Sequence, residues 1–339
     1  MLYNYFSLNW TLVIVFLFNF LLSSFLIKIL MVFLKRHSKF QPIRTDGPET
    51  HFKKAKTPTM GGLAFNMSAI ISMMLFCDLS SCYTWIGLFL FVGFSVIGLV
   101  DDIMKVFFDS SFGFRGSIKL ILELIIGSIT ILSLAYFNQD YMTESIKVPL
   151  FNVWLDLGVL AFPFFVMALV GSANATNITD GLDGLLSIPV AIISLLLFLY
   201  VICFRSFNVV LTKEIVDFVL VALLTICSSF LAFFIFNKHP AKIFMGDVGS
   251  LSVGAFLFFI SYMLKIELFY AIMGLLFIIE LASSTLQVLF YKLFKKRIFK
   301  MAPLHHHFEK CGISETRVVK GMWLFSFITS LIGFTLILA

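Results

Sequence analysis

The stretch "VMALVGSANATNITDGLDGLLSIPVAIISLLLFLY", residues 166–200, sets a polar insert between two apolar runs. The insert carries Asn174, Asn177, Asp180 and Asp183 with Gly181 and Gly184. The run from 185 to 203 has no charged residue and is long enough to cross a bilayer as a helix. Two such runs joined by a short polar segment read as consecutive membrane helices, with the polar residues gathered at one membrane surface.

The rest of the chain follows the same pattern. Of its 339 residues 60% are hydrophobic and only 13% charged, about half the charged share of ordinary soluble domains. That excess of apolar side chains excludes a soluble globular domain. Helices are the expected spanning structure, because every backbone group must find its partner inside hydrocarbon. The short alternating segments of an outer-membrane barrel are absent from the sequence. Apolar runs predict ten spans, at 10–34, 60–77, 85–104, 117–137, 151–171, 185–203, 213–236, 248–265, 269–291 and 321–338. The first has no small-residue cleavage site after it and reads as an anchor. The expected fold is an all-α polytopic membrane protein, one integral membrane domain over 1–339.

Orientation follows from Lys and Arg. The connections 35–59, 105–116, 172–184, 237–247 and 292–320, with Lys119, carry 20 of the 25; the opposite side carries four. The first set is therefore expected in the cytoplasm and both termini outside. Topology alone explains much of the bias, and a basic face also suits an anionic substrate. Cys77 and Cys82 flank an external turn and are candidates for a disulfide. The external segment "NQDYMTESIKVPLFN", 138–152, is expected to hold a small hairpin.

Four cytoplasmic connections carry dense motifs. "GPETHFKKAKTPTMGG", 47–62, puts lysines beside a Gly-opened helix start, which suits an anion; a positive-inside loop is the plainer reading. "NKHPAKIFMGDVGSL", 237–251, places Asp247 at a helix start, where it could be only an N-cap. Phe244 offers a flat face for a ring. "KKRIFKMAPLHHHFEKCG", 295–312, holds His305, His306 and His307, suited to substrate contacts or proton handling. The insert is the fourth: Asn177, Asp180 and Asp183 share a face if helical, or ring a point if looped. Their oxygens suit Mg²⁺. An Asx-rich turn and glycosylation at two sequons are the competing readings, and a cytoplasmic position opposes the second.

Two further signals lie in the spans. Asp101 and Asp102 end the third helix, where acids oppose the helix dipole, so a metal or base role suits them; a solvated helix end is the plainer reading, and Lys105 follows one turn on. Glu280 sits in the middle of the ninth span, where an acid is costly and faces protein; a bend or break is expected there.

"TPTMGG", "LVDD", "NATNITDGLDG", "FMGDVGSL" and "MAPLHHHFE" resemble, in order and spacing, the motifs of the phospho-N-acetylmuramoyl-pentapeptide transferase family. This is the bacterial branch of the polyprenyl-phosphate N-acetylhexosamine-1-phosphate transferases. The resemblance runs from about residue 44 to the end of the chain. It implies transfer from UDP-N-acetylmuramoyl-pentapeptide to undecaprenyl phosphate with Mg²⁺, in peptidoglycan synthesis. It implies Asp247 as metal ligand and catalytic residue, Asp101 as base toward the lipid phosphate, and Asp102 as its catalytic neighbour. Asn177, Asp180, Gly181, Leu182 and Asp183 line the nucleoside pocket on that reading, and Phe244 stacks on uracil. Lys54, Thr59, Lys105, Lys119, Asn237, Gln287, Ala302, His305 and His306 match other substrate contacts. Lys56 stands where the family usually has Gly, which bears on Lys54 against Lys53. The resemblance implies a homodimer in the bacterial cytoplasmic membrane, and no nucleic-acid partner. A sister transferase loading another hexosamine phosphate is the alternative. A transporter would place its acids at the helix midplanes, whereas here they collect at one surface.

Overall fold

The computed structural model describes residues 8–36, 57–107, 113–137, 144–151, 153–204 and 212–338. In chain order its elements are α1 (Leu8–Arg36), α2 (Gly61–Phe76), α3 (Cys82–Phe107), α4 (Gly116–Phe137), β1 (Ser145–Val148), β2 (Val153–Asp156), α5 (Ala161–Thr179), α6 (Ser187–Phe204), α7 (Lys213–Asn237), α8 (Asp247–Met263), α9 (Glu267–Met273), α10 (Leu275–Phe294), α11 (Leu304–Lys310) and α12 (Glu315–Leu338). Seven described helices are long and apolar enough to cross a membrane: α1, α3, α4, α5 with the turn before it, α7, α10 and α12. Helices α2, α6 and α8 are shorter and equally apolar. Large apolar side chains stand exposed on α1, α4 and α12, among them Phe25, Ile121 and Leu324. Water would not tolerate such faces and lipid does, so the chain is a mostly helical, multi-pass membrane protein.

Helix α8 is the axis of the bundle. Every residue from Val248 to Met263 is buried, and α2, α3 and α5 pack around it. Small residues allow this closeness. A Cβ at Gly62 of α2 would stand 2.4 Å from the Gly249 nitrogen of α8. Polar side chains then lock the apolar helices laterally. Asn66 Nδ2 lies 2.8 Å from Ser95 Oγ and 2.9 Å from both the Val248 carbonyl and Ser252 Oγ. Asn19 Nδ2 reaches the Thr225 carbonyl, Ser228 and Ser229 of α7, and Ser72 donates to Asn19 Oδ1. Such bonds contribute about 0.6 kcal/mol each in a membrane, and here they fix which faces meet.

A hairpin is present, with β1 in the expected segment 138–152 and β2 just beyond it, antiparallel with Ser145 opposite Asp156. Three expectations shift. The helix of the expected fifth span, 151–171, begins only at Ala161 and continues to Thr179. "VWLD" within the expected span is the second hairpin strand, so "NATNIT" lies on the helix and not in a loop. The ninth span is interrupted at Gly274, between α9 and α10, and not at Glu280, through which α10 continues. Cys77 and Cys82 are free thiols, Cys77 being buried.

Candidate active site

Three carboxylates meet where α3 ends and α8 begins. Asp101 and Asp102 are each 3% exposed, and one oxygen from each of Asp101, Asp102 and Asp247 lies within 4.8 Å of the others. The two neighbours on α3 point apart, as adjacent helical residues must. Asp102 turns toward α8. Its Oδ1 accepts the Asp247 N–H and its Oδ2 the Val248 N–H, each at 3.1 Å. The first turn of α8 has no intrahelical acceptors for these groups, so Asp102 caps α8 from a different helix. The cap residue of α8 itself is Gly246, at φ 80°. A Cβ there would stand 2.3 Å from Asp102 Oδ2, so only glycine admits the carboxylate.

Asp101 and Asp247 face lysines. Lys105 Nζ lies 2.5 Å from Asp101 Oδ2 and 3.3 Å from Asp247 Oδ2. Lys119, in the first turn of α4, donates to Asp247 Oδ2 at 2.6 Å and lies 4.0 Å from Asp101. Phe114 N–H donates to Asp101 Oδ1 at 2.6 Å. Three acids and two ammonium groups thus share one recess. This arrangement can hold a cation between carboxylates, or turn the lysines toward a polyanion.

Beside the recess, the turn after α5 meets the segment before α8. Asn237 Oδ1 accepts Gly184 N–H at 2.9 Å while its Nδ2 donates to the Ile243 carbonyl. Asp183 Oδ2 accepts Ala241 N–H at 3.0 Å and lies 3.1 Å from His239 Nδ1. Asp180 stands among acids. Burial first, then the charges of Asp247, Asp102 and Asp183, push its carboxyl well above the usual carboxylate range. Phe244 is half-buried, with its backbone latched to the segment before α2: its N–H donates to the Pro58 carbonyl, and its carbonyl accepts Gly61 N–H, both at 2.8 Å.

The comparisons with known proteins decide the family. The profile of glycosyl transferase family 4 matches residues 84–265, which hold Asp101, Asp102, Lys105, Lys119 and Asp247. The phospho-N-acetylmuramoyl-pentapeptide-transferase signature 1 matches residues 54–65, the segment latched to Phe244. The phospho-N-acetylmuramoyl-pentapeptide-transferase of Rickettsia massiliae (strain Mtu5) is 45% identical over 313 residues, covering 90% of this chain and 86% of the relative. Those of Rickettsia prowazekii (strain Madrid E) and Rickettsia akari (strain Hartford) are each 44% identical, covering 90% and 93% of this chain and 86% and 88% of theirs. The chain belongs to the phospho-N-acetylmuramoyl-pentapeptide-transferase family.

The remaining residues expected to serve this family's chemistry are placed as follows. Lys54 lies outside the described residues. Thr59 is 2% exposed, and its buried hydroxyl has no hydrogen-bond partner among the described residues. Asn177 lies in the last turn of α5, and Asp180, Gly181 and Leu182 form the turn that follows it. Gln287 holds the 298–299 turn, its Oε1 accepting both backbone N–H groups at 3.0 Å and its Nε2 donating to the Phe299 carbonyl. Ala302 precedes α11, which carries the histidines. His306 Nδ1 pairs with Glu309 at 2.8 Å. His305 is 1% exposed and held at Nδ1 by Glu280 Oε2 at 3.0 Å, while Glu280 Oε1 accepts its backbone N–H. His305 Nε2 has no partner among the described residues and abuts the backbone at Gly181, where a Cβ would come within 2.2 Å. Glu280 is therefore the buried anchor of α11.

Sequence reasoning missed Glu123, His239 and Glu315 as members of this region. Glu123 sits one turn beyond Lys119 on α4 and accepts from Asn174 Nδ2 at 2.6 Å. Its only sequence signal was an acid inside an apolar run.

Proposed function

We propose that this chain transfers phospho-N-acetylmuramoyl-pentapeptide from UDP-N-acetylmuramoyl-pentapeptide to undecaprenyl phosphate, releasing UMP, in peptidoglycan synthesis. The observation that carries the reading is the recess of Asp101, Asp102 and Asp247 with Lys105 and Lys119, in a chain of this family. On this reading the protein crosses the bacterial cytoplasmic membrane ten times with both termini outside, acts as a homodimer, and opens the recess to the cytoplasm. The 20-to-4 division of Lys and Arg supports that orientation.

The donor set fits Mg²⁺: three carboxylates offer hard oxygens within 4.8 Å, and Asp247 is the assigned ligand. Bound there, Mg²⁺ would neutralise charge on the pyrophosphate. The chain's own residues then have separate tasks. Asp101 accepts the proton of the lipid phosphate and aims its oxygen at the sugar-linked phosphorus. Lys105 and Lys119, now paired with carboxylates, turn to the phosphate oxygens as the bond to UMP breaks. Asp102 keeps α8 in register. Phe244 stacks on uracil, and Asn177, Asp180, Gly181, Leu182 and Asp183 form the nucleoside wall. Lys54, Thr59, Asn237, Gln287, Ala302, His305 and His306 complete the substrate contacts.

Direct attack by the lipid phosphate is favoured over a phospho-enzyme, because an ionised phosphate is already a competent nucleophile. The test is UMP release by purified protein. Release should require both undecaprenyl phosphate and Mg²⁺. A stoichiometric UMP burst without lipid would support the covalent route, and lipid-independent steady turnover would sink the reading.

A further inference from the structure

We propose that α12 is part of the nucleotide-binding apparatus, with Glu315 and Trp323 as positioning residues for the 183–185 turn. The inference rests on the reading that Asp183 and its neighbours form the nucleoside wall. Two side chains of α12, two helical turns apart, grip the same three-residue stretch of backbone from opposite chemical senses. Glu315 Oε1 accepts the Asp183 N–H at 3.1 Å. Trp323 Nε1 donates to the Gly184 carbonyl at 3.2 Å and the Leu185 carbonyl at 3.3 Å. The turn contains Gly184 at φ 74°, a conformation that other residues adopt only with strain.

Each grip is itself braced. Glu315 is 9% exposed, and its second oxygen lies 3.7 Å from His239 Nδ1, which also faces Asp183 Oδ2. The Trp323 ring stands edge-on to Phe234 of α7, with centroids 5.5 Å apart. Asp183 in turn holds Ala241 N–H on the segment leading to Phe244. The C-terminal helix thus reaches, through one turn of backbone, both the nucleoside wall and the segment that carries the stacking ring. A peg on backbone N–H and C=O groups sets where the wall stands without touching the transferred phosphate. Its loss should therefore weaken nucleotide binding and spare the chemical step.

The experiment uses the full chain in detergent, with UMP release measured against varied UDP-N-acetylmuramoyl-pentapeptide and, separately, varied undecaprenyl phosphate. Glu315→Leu, near the same volume without an acceptor, should raise KM for the nucleotide about 10-fold, with kcat and the lipid KM within about 3-fold. Glu315→Gln keeps an oxygen for the Asp183 N–H and should restore nucleotide KM to within about 3-fold of the parent. Trp323→Phe, which keeps the ring and loses the donor, should raise it about 3-fold. An unchanged nucleotide KM in Glu315→Leu overturns the proposal. So does a joint change in both KM values and kcat that Glu315→Gln fails to relieve, since that is the mark of a merely structural contact. If Glu315→Leu does not fold, Trp323→Phe decides, and an unchanged nucleotide KM there overturns it. A parent protein that turns over no UDP substrate would overturn the underlying reading and the proposal with it; turnover by the parent keeps the two failures apart.

Discussion

Asp247 gives its carboxylate to two lysine ammonium groups, whereas Asp183 gives its own to a backbone N–H and an imidazole. Both sit in acidic clusters capable of gathering three ligand atoms. The first cluster holds charge against charge, and its partners are long side chains that can swing to a substrate. The second holds backbone against side chain, and releasing it would unmake a turn. On the proposed function, similar residue types therefore serve chemistry in one place and architecture in the other. What separates them is the identity of the partner, not the acid itself.

The sharpest way to break this contrast is Asp247→Asn. Turnover should fall by about 10³-fold or more at every Mg²⁺ concentration, with the thermal midpoint in detergent unchanged. Near-parental turnover would remove Asp247 from the chemistry. Next is Lys119→Met, which keeps the stem and loses the charge. It should cost about 10²-fold in kcat, on the scale of losing one preorganised donor, again without unfolding at lower temperature. A variant that loses stability and keeps its rate would move Lys119 into the architectural class.

Asp102 tests the boundary, since it lies in the first cluster but bonds like the second. Asp102→Asn offers one acceptor oxygen where two amides need one each. It should destabilise the protein by about 1–3 kcal/mol, the cost of an unpaired buried N–H, and lower the thermal midpoint as well as the rate. An unchanged midpoint would show that the α8 cap is dispensable. The smallest effect concerns Asp180, whose carboxyl is pushed up by burial and by three neighbouring acids. The folded protein then keeps a proton that the unfolded chain releases above about pH 4. Stability contributed by that proton is present below this pH and declines as pH rises toward the folded value. Asp180→Asn should flatten that decline in a pH series of thermal midpoints, and an identical slope in the two proteins would contradict the shift.

Much of this is legible in the sequence. "LVDD" and "FMGD" stood out because acids at the ends of apolar runs need a reason, and the structure brings them together. The first hairpin strand was legible because "NQDYMTESIKVPLFN" is polar and turn-rich between spans, but its partner lay in the next apolar run. The start of α5 was not, because "FNVWLDLGVL" is as apolar as a membrane helix, and hydropathy cannot distinguish an exposed apolar strand from a span. The break at Gly274 hid for a related reason: a lone glycine in an apolar run is tolerated within helices, while Glu280 drew attention by its charge. Glu315 and Asp183 are 132 residues apart in the chain. No periodicity connects such a pair, and only packing brings them together.

The grip of Asp102 on two successive amides has a consequence for how the gene can vary. A residue added between Asp247 and Val248, inside the first turn of α8, would rotate Asp247 by about 100° about the helix axis and slide it about 1.5 Å. Asp102 would then grasp the wrong pair of amides, and Asp247 would leave the lysines. Length changes at this helix start should abolish UMP release even where every motif residue is retained.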